Sequence, residues 1–500
     1  MEEQHRKPGP EGSFSEGRLA APPSELFQRI LTLPEVMSIR DPERFTAELT
    51  VDIAHTVMLG ERGIIAPRDA SAICGALLKA IEKGPGSIPL DTSKDSTLFQ
   101  IETYLAQEIG VDVAGRMHTG RSRTDRGAAI MRLYLRDQLL DVVDALLGWQ
   151  DALLEKGERH QETVLPGYTH MQAAQPITFG HHLLAQFWLH VDDFDRLQLA
   201  YRHTNVNALG TASIAGTSWP LDRSRTEELL GFDGSTENAR VSRTYIFRAE
   251  IASAYATLMA TLHYLASDFY IWFSHEFKMV EPADEHSGSS SIMPQKKNPY
   301  VWERTRVLAR HASGWPASAL AALMGASSSD SFLESPEIES YGSRVAGLLR
   351  INAEVLERLR VDEERMLDLV RQEFSTANNL ADVLVRERAM PFRQAHSVVG
   401  RLVRLCVQGA VAPSEVEPEL LDQAAAEVGV TPPALDPDAI RQALDPVAFV
   451  HSRTTIGSTN PRDVRRQINL ARVTLEGHRV WLGQVEEKPR TAGIALRTAI

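Results

Sequence analysis

From Ala128 to Glu158 the apolar residues Met131, Leu135, Leu139, Val142, Val143, Leu146, Trp149, Leu153 and Leu154 recur at intervals of three and four. Only Gly148 and Gly157 interrupt the pattern, which predicts a helix far longer than the average. Comparable patterns run from Phe179 to Tyr201, Arg243 to Phe273, Val301 to about Leu323, and Ser340 to Leu369. Five helices of roughly 35 to 45 Å each predict an elongated all-α bundle, and no alternating run reads as a sheet. Doubled apolar positions at Val142/Val143, Leu146/Leu147 and Leu153/Leu154 place apolar residues on more than one helix face. Either neighbours within the subunit or other subunits must cover them.

Shorter helices are expected at Glu43 to Glu61, Pro67 to Lys83 and Ser96 to Glu108, and again beyond Glu373, where Pro413, Pro432, Pro433, Pro437 and Pro446 break the pattern. Three regions follow: 1–115, 116–372 and 373–500. Residues 1–20 and the dozen from Lys488 lack clear periodicity and read as partly disordered.

The formal net charge of −13 argues against a nucleic-acid partner, because phosphate binding needs a basic face. No apolar run is long enough to span a membrane, and the first residues lack a signal peptide's apolar region, so a cytoplasmic location is expected. Two cysteines, both in apolar helical patterns, exclude a disulfide framework and a thiolate metal site.

Three segments carry polar chemistry. Ser287-Gly-Ser-Ser-Ser-Ile-Met-Pro-Gln-Lys-Lys-Asn-Pro299 joins a flexible hydroxyl-rich stretch to two lysines and two amides before a helix start. A serine can act as base there only if cationic charge and backbone donors stabilise its alkoxide, and Lys296 is the nearest cation. Pro166-Gly-Tyr-Thr-His-Met-Gln-Ala-Ala-Gln-Pro176 reads as a turn between two long helices that displays Thr169, His170, Gln172 and Gln175. Met117-His-Thr-Gly-Arg-Ser-Arg-Thr-Asp125 precedes the longest helix, so hydroxyls, backbone N–H groups, Arg121 and Arg123 can meet a carboxylate at its N-terminus.

Together these segments resemble the fumarase/aspartase superfamily, and within it most closely the argininosuccinate lyases. His118-Thr-Gly-Arg-Ser-Arg123, Pro166-Gly-Tyr-Thr-His170, Ser290-Ser-Ile-Met-Pro-Gln-Lys-Lys-Asn-Pro299, Ala377-Asn-Asn-Leu-Ala-Asp-Val-Leu384 and Pro391-Phe-Arg-Gln-Ala-His396 carry the resemblance. It implies a three-domain helical subunit, a homotetramer with a twenty-helix core, and active sites built from three subunits. It also implies a carbon–nitrogen lyase that releases fumarate and needs no metal or organic cofactor. By position, Ser290 would abstract the proton and Lys296 and Asn298 would stabilise the aci-carboxylate. His170, paired with Glu303, would assist proton transfer or orient the substrate. Ser122, Arg123 and Thr169, with Gln172 beside them, would hold the succinyl carboxylates.

The departures fall on the amine side. The family's Asn-Asp-Gln is here Thr124-Asp-Arg126, and its Glu-Asp-Ile-His is Asp95-Ser-Thr-Leu98. Its Ser-Asp-Arg-Asp is Ser242-Arg-Thr-Tyr245, and its Tyr-Asn-Lys-Asp-type segment is Gly325-Ala-Ser-Ser-Ser-Asp-Ser-Phe-Leu-Glu-Ser335. A site stripped of its polar partners rejects the group they held. The expectation is a lyase for an N-substituted aspartate, an aminodicarboxylate whose amine is not arginine, as in ethylenediamine-disuccinate (EDDS) lyase. A true argininosuccinate lyase is the alternative, with Arg126, Arg243 and Arg248 as substitute contacts.

Overall fold

The computed structural model describes residues 23–324 and 338–500; the Gly325–Ser335 segment and residues 1–20 lie outside this set. Helices make up 69% of the structure, which fixes the class as all-α. The N-terminal helices are α1 (Pro42–Glu61), α2 (Pro67–Lys83) and α3 (Thr97–Ile109). The long elements that follow are α4 (Arg123–Arg159), α5 (Phe179–Thr204) and α6 (Ile246–Trp272).

Two of the five expected long helices are broken. Instead of one helix to Leu323, α7 (Tyr300–Ala312) and α8 (Trp315–Leu323) meet at Ser313-Gly314. Pro316 forces the break, since inside a continuous helix its ring would strike the carbonyl of Ala312. The Ser340–Leu369 pattern likewise divides into α9 (Tyr341–Glu357) and α10 (Glu363–Arg371). Between them Arg360–Val361 is extended and pairs antiparallel with Val280–Glu281, and Asp362 caps α10 by accepting the Arg365 N–H at 3.0 Å.

Two main apolar cores result, beside a small third cluster of Val164, Val370, Phe449 and Val450. The larger runs from Ile39 to Met366, and the smaller is built from Leu380 to Leu444 around α11 (Ala377–Arg388) and α12 (Phe392–Gly409). The chain then returns to the larger core through α13 (Pro461–Thr498), which supplies Val464, Ile468, Leu475, Leu482 and Leu496.

This last helix corrects one expectation and decides one open alternative. The stretch from Lys488 is helical: Lys488 pairs with Asp233 at 3.1 Å, and Ala492 and Leu496 are buried. Gly231, in left-handed backbone at φ 68°, lets the helix approach so closely that a Cβ there would meet Pro489 Cα at 2.9 Å. The doubled apolar positions of α4 need no second subunit either. Val142, Val143, Leu146, Leu147, Leu153 and Leu154 are all at most 4% exposed within one chain. Helices α5, α9 and α13 pack around α4, and Arg479–Asp151 and Arg472–Glu158 pairs align α13 along it.

The turn between α4 and α5 is a β-hairpin of β1 (Val164–Thr169) and β2 (Gln172–Thr178), so the expectation of no sheet was too strict. Pro166 and Pro176 face each other across it, which a two-stranded edge tolerates and a wider sheet would not. Among the described residues, no helix is long and apolar enough to cross a membrane. Cys74 and Cys406 are buried free thiols.

Candidate active site

The first polar segment forms the entry to α4. Ser122 is its N-cap and Asp125 completes a capping box, with the Ser122 N–H donating to Asp125 Oδ1 at 2.8 Å. The other carboxylate oxygen accepts the N–H groups of Gly210 (2.9 Å) and Ala212 (3.0 Å), tying the helix start to the 210–212 loop. Ser122 Oγ lies 2.8 Å from Thr124 Oγ1, so the threonine hydroxyl is turned inward to the cap. Arg123 is half-exposed and pairs with Asp95 at 2.9 Å, so the candidate carboxylate binder has an internal counterion.

The neighbouring arginines are not available to a substrate. Arg126 is buried and bidentate to Asp52 (Nε–Oδ1 2.8 Å, Nη2–Oδ2 2.9 Å), with Glu48 at 3.1 Å. It therefore cannot serve as a substitute contact for an amine. Arg121 is also buried, its Nη1 2.8 Å from Asp52 Oδ1. Burial alone would raise the Asp52 pKa, but the Arg126 and Arg121 guanidiniums outweigh it and hold the carboxyl below the ordinary range. Arg248 is buried as well, and the side chain of Arg243 lies outside the described set.

Sequence reasoning missed Glu102, which lies beneath this segment with Oε1 4.0 Å from His118 Nδ1. Burial pushes its carboxyl up to about 7 from the ordinary 4.5, and burial with the Arg121 charge pushes His118 down to about 4. The proton of this pair therefore sits on the carboxyl. A raised carboxyl pKa stabilises the fold at acid pH and loses that stabilisation as pH rises from 4.5 through about 7. Glu102→Gln is expected to remove this dependence, making the variant more stable than wild type at pH 8 by at most about 3 kcal/mol. Denaturant midpoints for both proteins at pH 5 and pH 8 check it: equal midpoint shifts at the two pH values contradict the assignment.

The second segment occupies the tip of the β1–β2 hairpin. His170 and Met171, the two turn residues, both have left-handed backbone (φ 53° and 59°). Such a two-residue turn usually recruits glycine or asparagine, so a His-Met pair is strained and displays its side chains outward. Thr169, His170 and Gln172 are all exposed. A register shift between Pro166 and Tyr168 adds local twist, and Gly167 is required there because a Cβ would meet Gln175 O at 2.7 Å. Behind the hairpin, Tyr168, Met171, Ile177, Trp272 and Phe277 line a cleft of about 530 Å³.

The third segment is a loop pinned at its base. β3 (Gly288–Ser289) pairs with β4 (Lys297–Asn298), leaving Ser290 to Lys296 as a tip that is exposed from Ser291 onward. Ser290 Oγ accepts the Met293 N–H at 3.1 Å and the Ile292 N–H at 3.5 Å. These are the backbone donors that an alkoxide at this position would need. The adjacent lysines divide: Lys297 binds Asp284 (2.7 Å) and Glu281 (3.2 Å), whereas Lys296 is exposed with no side-chain partner among the described residues. Asn298 Nδ2 donates to Ser289 O at 3.3 Å, and Glu303 sits in the first turn of α7 with no side-chain partner among the described residues.

Among the described residues no hydrogen bond or ion pair joins the three segments, and none links His170 to Glu303 within the chain. No group of three or more His, Cys, Asp or Glu among them could hold a metal ion. The capping box at Ser122-x-x-Asp125 was legible as a helix-start signal; the Asp52, Glu48 and Glu102 cluster left none, because these residues sit far away in sequence.

The profile of the Lyase family matches residues 41–314, and that of the argininosuccinate lyase C-terminal region matches residues 374–451. The argininosuccinate lyase of Methanocaldococcus jannaschii is 37% identical over 454 residues, covering 90% of this chain and 91% of its own. That of Methanosarcina acetivorans is 36% identical over 487 residues, covering 96% of each. Among solved structures, an EDDS lyase variant with bound fumarate superposes with a TM-score of 0.83 at 31% identity, over 96% of both chains. With a family profile over more than half its length and relatives above 30% identity along nearly all of it, this chain belongs to the fumarase/aspartase superfamily as an argininosuccinate lyase-like carbon–nitrogen lyase.

Proposed function

We propose that the chain cleaves an N-substituted aspartate reversibly into fumarate and an amine other than arginine. The observation that carries the reaction is Ser290: a half-buried hydroxyl that already accepts two backbone N–H groups, with Lys296 on the same loop tip unpaired among the described residues. Ser290 removes the proton beside the carboxylate. Lys296 and Asn298 balance the second negative charge that builds on that carboxylate. His170, with Glu303, assists proton transfer or orients the substrate, and Ser122, Arg123 and Thr169, with Gln172, hold the succinyl carboxylates.

Because the three segments lack mutual contacts within one chain, the reading requires sites assembled between subunits, in a homotetramer. The outward His170 tip and the unpartnered Glu303 support this. The protein works without metal or organic cofactor, in the cytoplasm, with neither nucleic acid nor membrane as partner.

The altered amine rests on the environment of Thr124 and Arg126. One hydroxyl is turned to its own cap, and one guanidinium is neutralised by Asp52 and Glu48, so neither reaches outward for an amino-acid head group. The 36–37% identity to named argininosuccinate lyases favours the second reading, a true argininosuccinate lyase. Fumarate absorbance decides between them. With argininosuccinate the expected kcat/KM is lower by about 10³-fold or more than with the preferred aminodicarboxylate, the size of effect that unpaired polar groups produce. Brisk turnover of argininosuccinate favours the second reading, and screening amines for addition to fumarate, read by mass, identifies the partner.

A further inference from the structure

The loop's two lysines are neighbours in sequence, yet only one is anchored. Lys297 lies on β4, where strand alternation turns it away from the tip and toward Glu281 and Asp284. Glu281 lies on the strand Val280–Glu281 and also binds Arg360, which stands opposite it on Arg360–Val361. Two further pairs brace the same faces: Arg358 with Glu285, and His286 with Glu354 at 3.2 Å. The segment before the loop, the far stem of the loop and the connection between α9 and α10 are thus tied together at one place. Tyr300 closes the base from below, its Cδ2 3.5 Å from where a Cβ on Gly288 would stand.

We propose that Lys297 is a positioning residue. With Glu281, Asp284 and Arg360 it forms an ionic clamp that fixes the stem of the Ser290–Lys296 tip and so aims Ser290 and Lys296. The inference rests on the reading of this loop as the one that handles fumarate. The physical case is one of leverage. Asp284 is 95% exposed in its side chain and Glu281 and Lys297 about a third or less, so each pair alone contributes little to stability. Acting together at the paired stem of the Ser290–Lys296 tip, they contribute direction instead, and a small misplacement of a reacting group costs far more rate than stability. Lys297 touches no substrate in this scheme; it acts through the loop.

Lys297→Met, Lys297→Arg and wild type are compared in full-length protein for fumarate affinity by calorimetry, for kcat and KM with the best aminodicarboxylate, and for thermal midpoint. Lys297→Met is expected to lower kcat about 10- to 100-fold and weaken fumarate binding about tenfold with little change in midpoint. Lys297→Arg, which keeps the charge, is expected within about threefold of wild type. Wild-type turnover and fumarate binding in Lys297→Met overturns the clamp, as does loss of activity only in step with loss of stability. If wild type binds no fumarate, the reading of the loop fails instead. The clamp is then judged by tryptic cleavage after Lys296 and Lys297 in Glu281→Gln, where faster cutting than wild type supports it and an equal rate overturns it.

Discussion

Ser290→Ala is expected to reduce fumarate production by about 10²- to 10⁴-fold, the usual contribution of a positioned general base, while leaving folding and assembly unchanged. The asymmetry follows from where the residue sits. Ser290 is half-buried, and among the described residues its hydrogen bonds are those it accepts from the exposed Ile292 and Met293, so removing its oxygen leaves no buried group unsatisfied and costs within about 0.5 kcal/mol. The same oxygen is where negative charge would appear when the serine gives up its proton. Ser291→Ala is the control, since the neighbouring serine on the same tip is exposed and is expected to retain activity within a few-fold. Fumarate absorbance measures the rate, and sedimentation measures the assembly. Full activity in Ser290→Ala would remove it as the base; loss in both serine variants would point to loop conformation rather than to one hydroxyl.

The same residues show how far a sequence can be read. The Ser287–Pro299 loop was legible because its chemistry is local: hydroxyls, lysines and amides lie within one turn-rich stretch. That Lys296 is the unpaired lysine and Lys297 the anchored one depends on Glu281 and Asp284, together with a two-residue strand too short to leave a pattern. The long helices were legible through their period, but the ends of two were not, because Pro316 and the extended Arg360–Val361 pair interrupt a pattern whose apolar spacing continues past them. The β1–β2 hairpin was hidden by Pro166, Gly167 and Pro176, which normally argue against strands. Most instructive is α13. Its polar stretch around Lys488 reads as disordered tail, yet it covers the second apolar face of α4, the face that otherwise suggests another subunit. Periodicity shows that a face must be covered; it does not show by what.

Asp52→Ala should carry the largest stability penalty in the protein, about 3 to 5 kcal/mol. Asp52 is fully buried and faces two buried guanidiniums, Arg126 and Arg121. Arg126 would keep Glu48 at 3.1 Å, but Arg121 has no other carboxylate paired with it and would be left as an uncompensated charge. The obvious reserve is Glu102, whose pKa the Asp52 charge helps to raise and the Arg121 charge lowers. At pH 8, above its pKa of about 7, Glu102 is a carboxylate, and without Asp52 it remains to neutralise Arg121 in part. The single variant therefore understates the cost of the missing charge. Asp52→Ala combined with Glu102→Gln is expected to be less stable than the two separate effects predict, by about 1 kcal/mol or more at pH 8, because the two acids share one counterion. Arg121→Met added to Asp52→Ala should restore much of the loss, since removing both charges leaves an apolar pocket rather than a naked ion. Denaturant midpoints of the four variants at pH 8 test the set. Additive effects would mean that Glu102 does not answer for Asp52. A penalty below about 1 kcal/mol for Asp52→Ala would mean that Arg121, the residue just before the Ser122 cap, is hydrated rather than held by charge.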